Sequence, residues 1–206
     1  MYVPAAFSET RPEILAETMA RSGLATLVTL GSDGLVASHV PMLFDPDRGP
    51  RGTLLGHIAR ANPQWQGADR GVDGLAIFTG AEAYITPSWY RAKQEHGRVV
   101  PTWNYVAVHA YGPVTFFEDA ERLHDIVRRL TDRHEAGRAA PWAVSDAPAG
   151  FISGMLRGIV GFAMPIARLE GKWKMSQNRD AADRDGVARG LAAEERDDIA
   201  RLIPLD

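Results

Sequence analysis

The run Leu24-Ala-Thr-Leu-Val-Thr-Leu30 is followed by Gly31-Ser-Asp-Gly34 and then by a second extended run from Leu35 to Phe44. β-Branched and apolar residues dominate both runs, and such residues are enriched in strands. Glycine, serine and aspartate between two strands are typical of a hairpin turn, because they accept backbone angles that other residues avoid. This stretch therefore predicts an antiparallel hairpin, and it directs the fold prediction for the rest of the chain.

More short extended runs follow, each bounded by turn residues. The predicted strands are Thr53–Ile58, Gly74–Thr79, Glu82–Ile85, Trp103–Glu118 with an interruption at Gly112-Pro113, Gly158–Gly171 and Lys172–Ser176. Helices are predicted within residues 1–23, over Asp119–Ala136, over Ala147–Arg157 and in the charged tail. Strands and helices do not alternate as they do in parallel sheets. The sequence therefore predicts a barrel-dominated α+β fold with peripheral helices.

Length and composition limit the function classes. The chain has 206 residues and a net charge of −3, which predicts one domain over residues 1–206 with a helical tail from about residue 180. The acidic balance argues against a general polyanion binder. Cysteine is absent, which excludes disulfides, thiolate nucleophiles and iron–sulfur clusters. No signal peptide or run of ~20 apolar residues is present, so a cytoplasmic protein without a membrane partner is expected.

Tryptophan and tyrosine cluster beside amide side chains and histidines. Examples are Tyr84-Ile-Thr-Pro-Ser-Trp-Tyr90 and Val100-Pro-Thr-Trp-Asn-Tyr105. Aromatic faces next to polar groups suit a pocket for a flat ligand with polar edges. Strand alternation places Tyr105, His109 and Tyr111 on one face. That face is either a binding wall or the ordinary outer face of a barrel strand against a helix or a second subunit.

The predicted strand Lys172–Ser176 places Lys172, Lys174 and Ser176 on one face. Two ammonium groups and a hydroxyl suit a phosphate, although a solvated lysine face is the common alternative. Arg60 lies in a turn that also offers backbone amides to an anion. His39 and His57 lack the ligand spacing of a metal site, so no metal is expected. Glycine-rich nucleotide-binding loops and a serine nucleophile motif are also missing.

Several motifs occur in order along nearly the whole chain. They are Met1-Tyr-Val-Pro4, Ala37-Ser-His-Val-Pro41, Gly56-His-Ile-Ala-Arg-Ala-Asn-Pro-Gln-Trp65, Ile85-Thr-Pro-Ser-Trp-Tyr90, Val100-Pro-Thr-Trp-Asn-Tyr105, Val108-His109 and Gly171-Lys-Trp-Lys-Met-Ser-Gln-Asn-Arg179. Together they resemble the PaiB-like family of FMN-binding negative transcriptional regulators. The resemblance implies an antiparallel, Greek-key-like FMN-binding split barrel, similar to pyridoxamine-phosphate oxidases and flavin reductase-like proteins. It also implies a homodimer with flavin where the subunits meet.

The same resemblance implies a set of FMN-binding residues. The isoalloxazine edge would meet backbone groups of Ser38, His39, Val40 and Pro41; the phosphate would approach the turn with His57, Ala59, Arg60 and Asn62; and Lys172, Lys174 and Gln177 would reach the same cofactor, from either subunit. No catalytic residue is implied.

The biological role stays open between three hypotheses. The first is a regulator, for which DNA is a partner by resemblance only, since no helix-turn-helix is recognisable and acidic residues dilute the arginines of the predicted helix Asp119–Ala136. The second is a flavin-dependent oxidoreductase, in which FMN supplies the redox chemistry. The third is a non-catalytic module that holds flavin or haem.

Overall fold

The computed structural model describes residues 1–205. Its strands are β1 (Ser8–Glu9), β2 (Ala25–Gly31), β3 (Gly34–Val40), β4 (Met42–Asp45), β5 (Thr53–Ala59), β6 (Gly74–Ile85), β7 (Thr102–Gly112), β8 (Thr115–Phe117), β9 (Ile159–Pro165) and β10 (Arg168–Lys174). Its helices are α1 (Pro12–Arg21), α2 (Gln64–Gly67), α3 (Arg91–Glu95), α4 (Ala120–Glu135), α5 (Ala149–Leu156), α6 (Ala181–Ala193) and α7 (Asp197–Ala200).

The strands form two sheets. The larger sheet has the order β1-β10-β7-β6-β2-β3, and the smaller has the order β4-β5-β9-β8. The predicted hairpin is present, since β2 and β3 pair antiparallel with Thr26 opposite His39. The predicted α+β class, with antiparallel strands and peripheral helices, is confirmed. Over residues 1–205 the strands make two sheets rather than one closed ring.

Three predicted strand boundaries are wrong. The predicted strand Gly158–Gly171 is divided at residues 166–167 into β9 and β10, which belong to different sheets. The run Leu35–Phe44 is divided at Pro41, because proline has no N–H to donate to a ladder. Conversely, β6 continues through Gly80, where a turn was expected. A Cβ atom at Gly80 would lie 2.9 Å from Cβ of Val106. Glycine is therefore needed there for a close side-chain approach rather than for a reversal of the chain.

The chain packs as two compact units. The first unit contains Met1–Leu15, Thr79–Val108 and the described part of Glu170–Asp206, and the second contains Ala16–Phe78 and His109–Leu169. The core of the first unit comes from β6, β7 and the C-terminal helices; its buried members are Ala83, Ile85, Tyr90, Val106, Met175, Val187, Leu191, Ile199 and Ile203. The single-domain organisation stays a prediction.

In the second unit, α4 covers the smaller sheet. Its first turn is capped by the Asp119 carboxylate, which accepts a hydrogen bond from the Arg122 amide at 2.8 Å. Apolar residues at helical spacing face the sheet, and Ile126 and Leu130 are buried against Leu43 and other residues of the sheet. None of the helices within residues 1–205 combines the length and hydrophobicity that a bilayer span requires.

Candidate functional site

The predicted FMN-binding residues fall in both units. The second unit contains Ser38, His39, Val40, Pro41, His57, Ala59, Arg60 and Asn62, and the first unit contains Lys172, Lys174 and Gln177. The name "amide turn" is used for residues 57–62 with residues 38–41, and "lysine cluster" for Lys172, Lys174 and Arg179.

The two predicted segments of the amide turn lie together. The Asn62 side-chain amide donates to the Ser38 hydroxyl at 2.8 Å. Strand pairing supports this contact, because Met42 of β4 lies opposite Gly56 of β5, directly after Pro41 and directly before His57. A Cβ atom at Gly56 would lie 2.5 Å from the Phe162 ring and 3.0 Å from the Pro41 carbonyl oxygen. Glycine at this position therefore lets the two segments approach each other.

Strand β3 offers backbone groups at a sheet edge. It is the last strand in the order of the larger sheet, so one side of its backbone has no strand partner. Ser38 and His39 lie on this strand, Val40 ends it, and Pro41 follows. Val40 is buried. An edge of this kind can donate to and accept from the polar rim of a flat ligand.

The two histidines of the amide turn differ. His39 Nδ1 lies 3.0 Å from the Thr26 hydroxyl. His57 Nδ1 is buried and has no hydrogen-bond partner among residues 1–205. Burial also holds the pKa of His57 below its ordinary value, so its imidazole is neutral at neutral pH. Over the same residues, no three His, Asp or Glu side chains converge as metal ligands.

The Arg60 guanidinium is already engaged. Its Nε donates to the Arg157 carbonyl at 2.6 Å, and a terminal nitrogen donates to the Glu118 carboxylate at 2.6 Å. The other terminal nitrogen donates to the Ile159 carbonyl at 3.4 Å. To bind a phosphate, Arg60 would have to leave a carboxylate that already neutralises its charge. Its phosphate role therefore stays a prediction that this geometry does not favour.

The backbone at the end of β5, at Ala59 and Arg60, was predicted to offer amide groups to a ligand, but it is hydrogen-bonded to the protein instead. Ala59 pairs with Ile159 in the sheet, and the Arg60 amide donates to the Gly158 carbonyl at 2.8 Å. The Trp65 indole N–H then donates to the Arg60 carbonyl at 2.9 Å. The backbone of this turn is thus held by β9 and by Trp65.

Lys172 is nearly buried, with 8% of its surface exposed. It lies on β10 opposite Ser8 of β1, and its ammonium donates to the Tyr2 carbonyl at 3.0 Å. The ammonium also lies 5.1 Å from the centre of the Tyr105 ring and 5.6 Å from that of Tyr2. Aromatic faces attract a cation but do not neutralise it.

Lys174 follows on the same face of β10. Its ammonium donates to the Thr102 hydroxyl and, at 2.5 Å, to the Trp103 carbonyl. Burial lowers the pKa of Lys174, and the positive charges of Lys172 and Arg179 lower it further. The shared face of the two lysines is the one that strand alternation predicted.

The turn after β10 adds Arg179 to the two lysines and directs the Ser176 hydroxyl, predicted to join them, away from the cluster. Ser176 has a left-handed φ of 62°, and its hydroxyl accepts from the buried Asn104 amide at 2.9 Å rather than joining the lysines. Gln177 uses both ends of its amide in the turn, accepting from the Met175 N–H at 2.7 Å and donating to the Trp173 carbonyl at 2.6 Å. Gln177 therefore shapes the turn that presents Arg179.

Among residues 1–205, the lysine cluster has no carboxylate within ion-pair distance. Over the described residues, none of Lys172, Lys174 and Arg179 forms a salt bridge. The positive charges of Lys172 and Arg179 both act on Lys174. Arg179 instead lies 4.6 Å above the Tyr90 ring. Converging cations that lack a counter-ion favour an anionic ligand with several acceptor oxygens, such as a phosphate. The donor set therefore fits the phosphate of a flavin nucleotide.

Sequence reasoning named the two lysines but missed most of their surroundings. The third cation, Arg179, was not named, nor were Tyr2, Thr102 and Tyr105, which contact the two lysines. The signal was present, because Tyr2, Tyr105 and Arg179 lie in motifs that carry the family resemblance. Their common destination depends on strand pairing between distant segments, which no local pattern reveals.

Known proteins with similar sequences include a family described as FMN-binding. Residues 1–168 match the family model described as "Putative FMN-binding domain". The chain is 31% identical over 205 residues to "Protease synthase and sporulation protein PAI 2" of Bacillus subtilis, covering 100% of this chain and 96% of that protein. An uncharacterized protein of Aspergillus fumigatus is 33% identical over 236 residues, covering 93% and 90%. The lysine cluster lies beyond residue 168 but inside both full-length similarities.

Solved structures with low sequence identity show the same fold. An FAD and heme binding protein of Mycobacterium smegmatis has a TM-score of 0.60 at 18% identity, covering 89% of this chain and 80% of that one. The flavocytochrome Anf3 of Azotobacter vinelandii has a TM-score of 0.58 at 12% identity, covering 81% and 69%. The split-barrel class expected from the resemblance is confirmed.

Proposed function

This chain belongs to the family described as "Putative FMN-binding domain", with FMN as its cofactor, and we propose that the lysine cluster binds the FMN phosphate. The predicted resemblance to the PaiB-like family is confirmed by the same matches. When bound, FMN supplies electron-transfer or hydride-transfer chemistry. The chain's own residues have the tasks of holding the phosphate and orienting the ring.

The observation that carries this proposal is that no carboxylate of residues 1–205 pairs with Lys172, Lys174 or Arg179. Removing these cations from water without a carboxylate partner costs free energy, and a bound phosphate would recover part of it. The composition is consistent with a special use of lysine here. Three lysines occur in the whole chain, at positions 93, 172 and 174, whereas the other basic residues are arginines.

The amide turn remains a proposal for contact with the flavin ring. Its support is the free edge of β3 together with the contact between Asn62 and Ser38. The unpartnered Nδ1 of His57 adds a buried polar atom in the same unit. These groups would recognise the polar edge of the ring, so their loss should weaken FMN and riboflavin alike.

A paired titration tests the phosphate proposal. We expect Lys172→Met combined with Lys174→Met to weaken FMN binding by about 10- to 100-fold, the loss of two charge-assisted contacts. Riboflavin has no phosphate, so its affinity should change by less than about threefold. Flavin fluorescence quenching on the full-length protein measures both affinities.

Lys93→Met is the matched control for this titration. Lys93 is exposed on α3 of the same unit, and its ammonium donates to the Ser88 hydroxyl at 3.1 Å. This variant should leave both affinities unchanged. Equal losses of FMN and riboflavin in the double variant, or no loss of either, would contradict the proposal.

A homodimer is part of the proposed function. Large apolar side chains of the second unit are exposed, including Leu35, and Phe151 and Met155 one helical turn apart on α5. Exposed apolar surface of this kind is typical of a protein–protein contact. Light scattering on the purified protein at micromolar concentration would give a monomer mass if this part of the proposal is wrong.

A regulatory role is the second candidate function, and a cytoplasmic location belongs with it. The Bacillus subtilis relative, whose name refers to protease synthesis and sporulation, aligns over the whole chain. The arginines of α4 do not favour DNA contact there, since Arg128 pairs with Asp125 at 2.7 Å and with Asp132 at 3.0 Å. Salt-dependent retention on DNA would support a regulator. Bleaching of the flavin colour by NAD(P)H would support an oxidoreductase instead.

A further inference from the structure

A cavity lies within the first unit, and the side chains of the lysine cluster do not line it. It has a volume of about 590 Å³, and Tyr84, Trp89 and Trp103 contribute to its lining together with Glu82, Glu194 and Arg196. Cavities of about 300–1,000 Å³ accept small organic ligands. We use the name "aromatic cavity" for this site.

The aromatic walls of the cavity are well defined. Tyr84 and Trp103 meet edge to face, with ring centres 6.1 Å apart and an angle of 71° between the planes. Trp89 is fixed by helix α6, where a Cβ atom at Gly190 would lie 2.3 Å from the indole ring. Tyr84 and Trp103 nevertheless remain about half exposed, at 49% and 53%. Rings held in place while still open to solvent can receive a ligand without rearrangement.

The charges at the cavity are predominantly negative. Arg196 is held by Asp198, whose carboxylate oxygens accept its hydrogen bonds at 3.0 Å and 3.2 Å, and it also donates to the Glu82 carbonyl at 2.6 Å. Its charge is therefore neutralised. Over residues 1–205, the carboxylates of Glu82 and Glu194 make no hydrogen bond or close ion pair, and the positive charge of Arg196 acts on both without a direct contact. Two negative charges thus remain beside three aromatic rings.

We propose that the aromatic cavity binds a small organic cation that carries an alkylated ammonium group. Aromatic faces attract a weakly hydrated cation, and alkyl groups on nitrogen gain further by leaving water. Arg196 is a single cation shared among three carboxylates, so those of Glu82 and Glu194 keep negative charge to offer a cationic ligand. An anionic ligand would meet repulsion from the same carboxylates. This proposal does not depend on the FMN phosphate site.

Calorimetric titration of the full-length, FMN-loaded protein with choline tests the proposal, using 3,3-dimethylbutanol as the neutral molecule of the same shape. Choline should bind, and it should bind more tightly than the alcohol. Glu82→Gln combined with Glu194→Gln should weaken choline by about fivefold and leave the alcohol unchanged. Trp103→Leu should weaken both ligands, since it removes a wall of the cavity.

Glu195→Gln is the matched control, because Glu195 is the exposed neighbour of Glu194 and does not line the cavity. It should leave choline binding within about twofold. Equal affinities for choline and the alcohol would overturn the proposal, as would insensitivity to the double glutamine variant. Displacement of FMN by choline would also overturn it, because the cavity would then belong to the flavin site. Failure of choline to bind a protein that still binds FMN separates this test from that of the lysine cluster.

Discussion

Arg60 in the amide turn and the two lysines of the lysine cluster have opposite surroundings. Arg60 donates to a carboxylate and to two backbone carbonyls, and its side chain is still 38% exposed. Lys172 is 8% exposed and donates to a carbonyl, with tyrosine rings in place of a counter-ion. The more deeply buried cation is therefore the one without a carboxylate partner.

This difference separates a structural cation from a binding cation. A guanidinium with a satisfied ion pair gains little from a new anion, because it must first lose its carboxylate. An ammonium that is desolvated and repelled by its neighbours gains charge neutralisation when an anion arrives. Substitutions in α6, at Arg60 and at the titrating groups His57 and Lys174 would test this distinction.

Packing of α6 against the Trp89 backbone should produce the largest effect. A Cβ atom on Gly186 of α6 would lie 2.0 Å from the Trp89 carbonyl oxygen, which is backbone and cannot rotate away. We expect Gly186→Ala to lower the free energy of unfolding by about 3 kcal/mol, the upper range for overpacking. Because α6 follows directly after Arg179, FMN affinity should fall as well. Urea unfolding and FMN titration measure the two effects.

Gly154→Ala provides the control for this substitution. Gly154 lies within α5, where an added Cβ would meet only the end of the Arg157 side chain, at 3.7 Å. Alanine is the better helix former, so this variant should be neutral or more stable by up to about 1 kcal/mol. If Gly186→Ala were equally tolerated, α6 would have room to shift, and the lysine cluster would not depend on rigid packing.

Arg60 should show a smaller effect, on stability rather than on phosphate recognition. Arg60→Ala removes one half-exposed ion pair and two carbonyl contacts, so we expect a loss of about 1 kcal/mol in the free energy of unfolding. The affinities for FMN and riboflavin should change by the same factor. Riboflavin provides the internal reference for the phosphate.

Glu118→Gln is the second half of this test. It removes the carboxylate from Arg60 and leaves the guanidinium in place. If Arg60 were a phosphate ligand, its release should tighten FMN relative to riboflavin. A selective loss of FMN in Arg60→Ala would likewise restore the role that the family resemblance implies, and it would erase the distinction between the two regions.

Local patterns predicted the parts of the fold that depend on neighbouring residues. The β2–β3 hairpin, the helix α4 and the shared face of Lys172 and Lys174 were all predicted from local sequence patterns. Gly80 shows the limit of such reasoning. Glycine occurs both in turns and in strands that another side chain approaches closely. At Gly80, only the position of Val106 in the structure distinguishes the two cases.

The candidate site shows the same limit. The partner of Arg60 is Glu118, 58 positions away in sequence, so the neutralised state of that arginine could not be predicted from the turn motif. Gln177 was predicted as a ligand, but its amide closes a local turn in which Ser176 adopts a left-handed backbone angle. The sequence pattern identified polar residues correctly, whereas their free or engaged state depends on tertiary contacts.

The dependence of the unfolding free energy on pH should show the smallest effect. The amide turn and the lysine cluster should contribute to it at different pH values, because one contains a histidine and the other a lysine. Burial lowers the pKa of His57 below its ordinary 6.5, and burial together with Lys172 and Arg179 lowers the pKa of Lys174 below its ordinary 10.5. Between each lowered value and the ordinary one, the unfolded chain binds more protons than the folded protein. Stability should therefore rise with pH in both windows.

The two windows can be assigned by variants of the FMN-free protein. His57→Asn should flatten the rise in unfolding free energy below pH 6.5, and Lys174→Met should flatten the rise in the alkaline window below 10.5. Saturating FMN should reduce the alkaline rise, because a phosphate beside Lys174 stabilises its charged form and returns its pKa toward the ordinary value. If the phosphate lies against Arg60 instead, FMN should leave the alkaline rise in unfolding free energy unchanged. The size of that rise with and without FMN therefore decides whether the phosphate lies at the lysine cluster or at the amide turn.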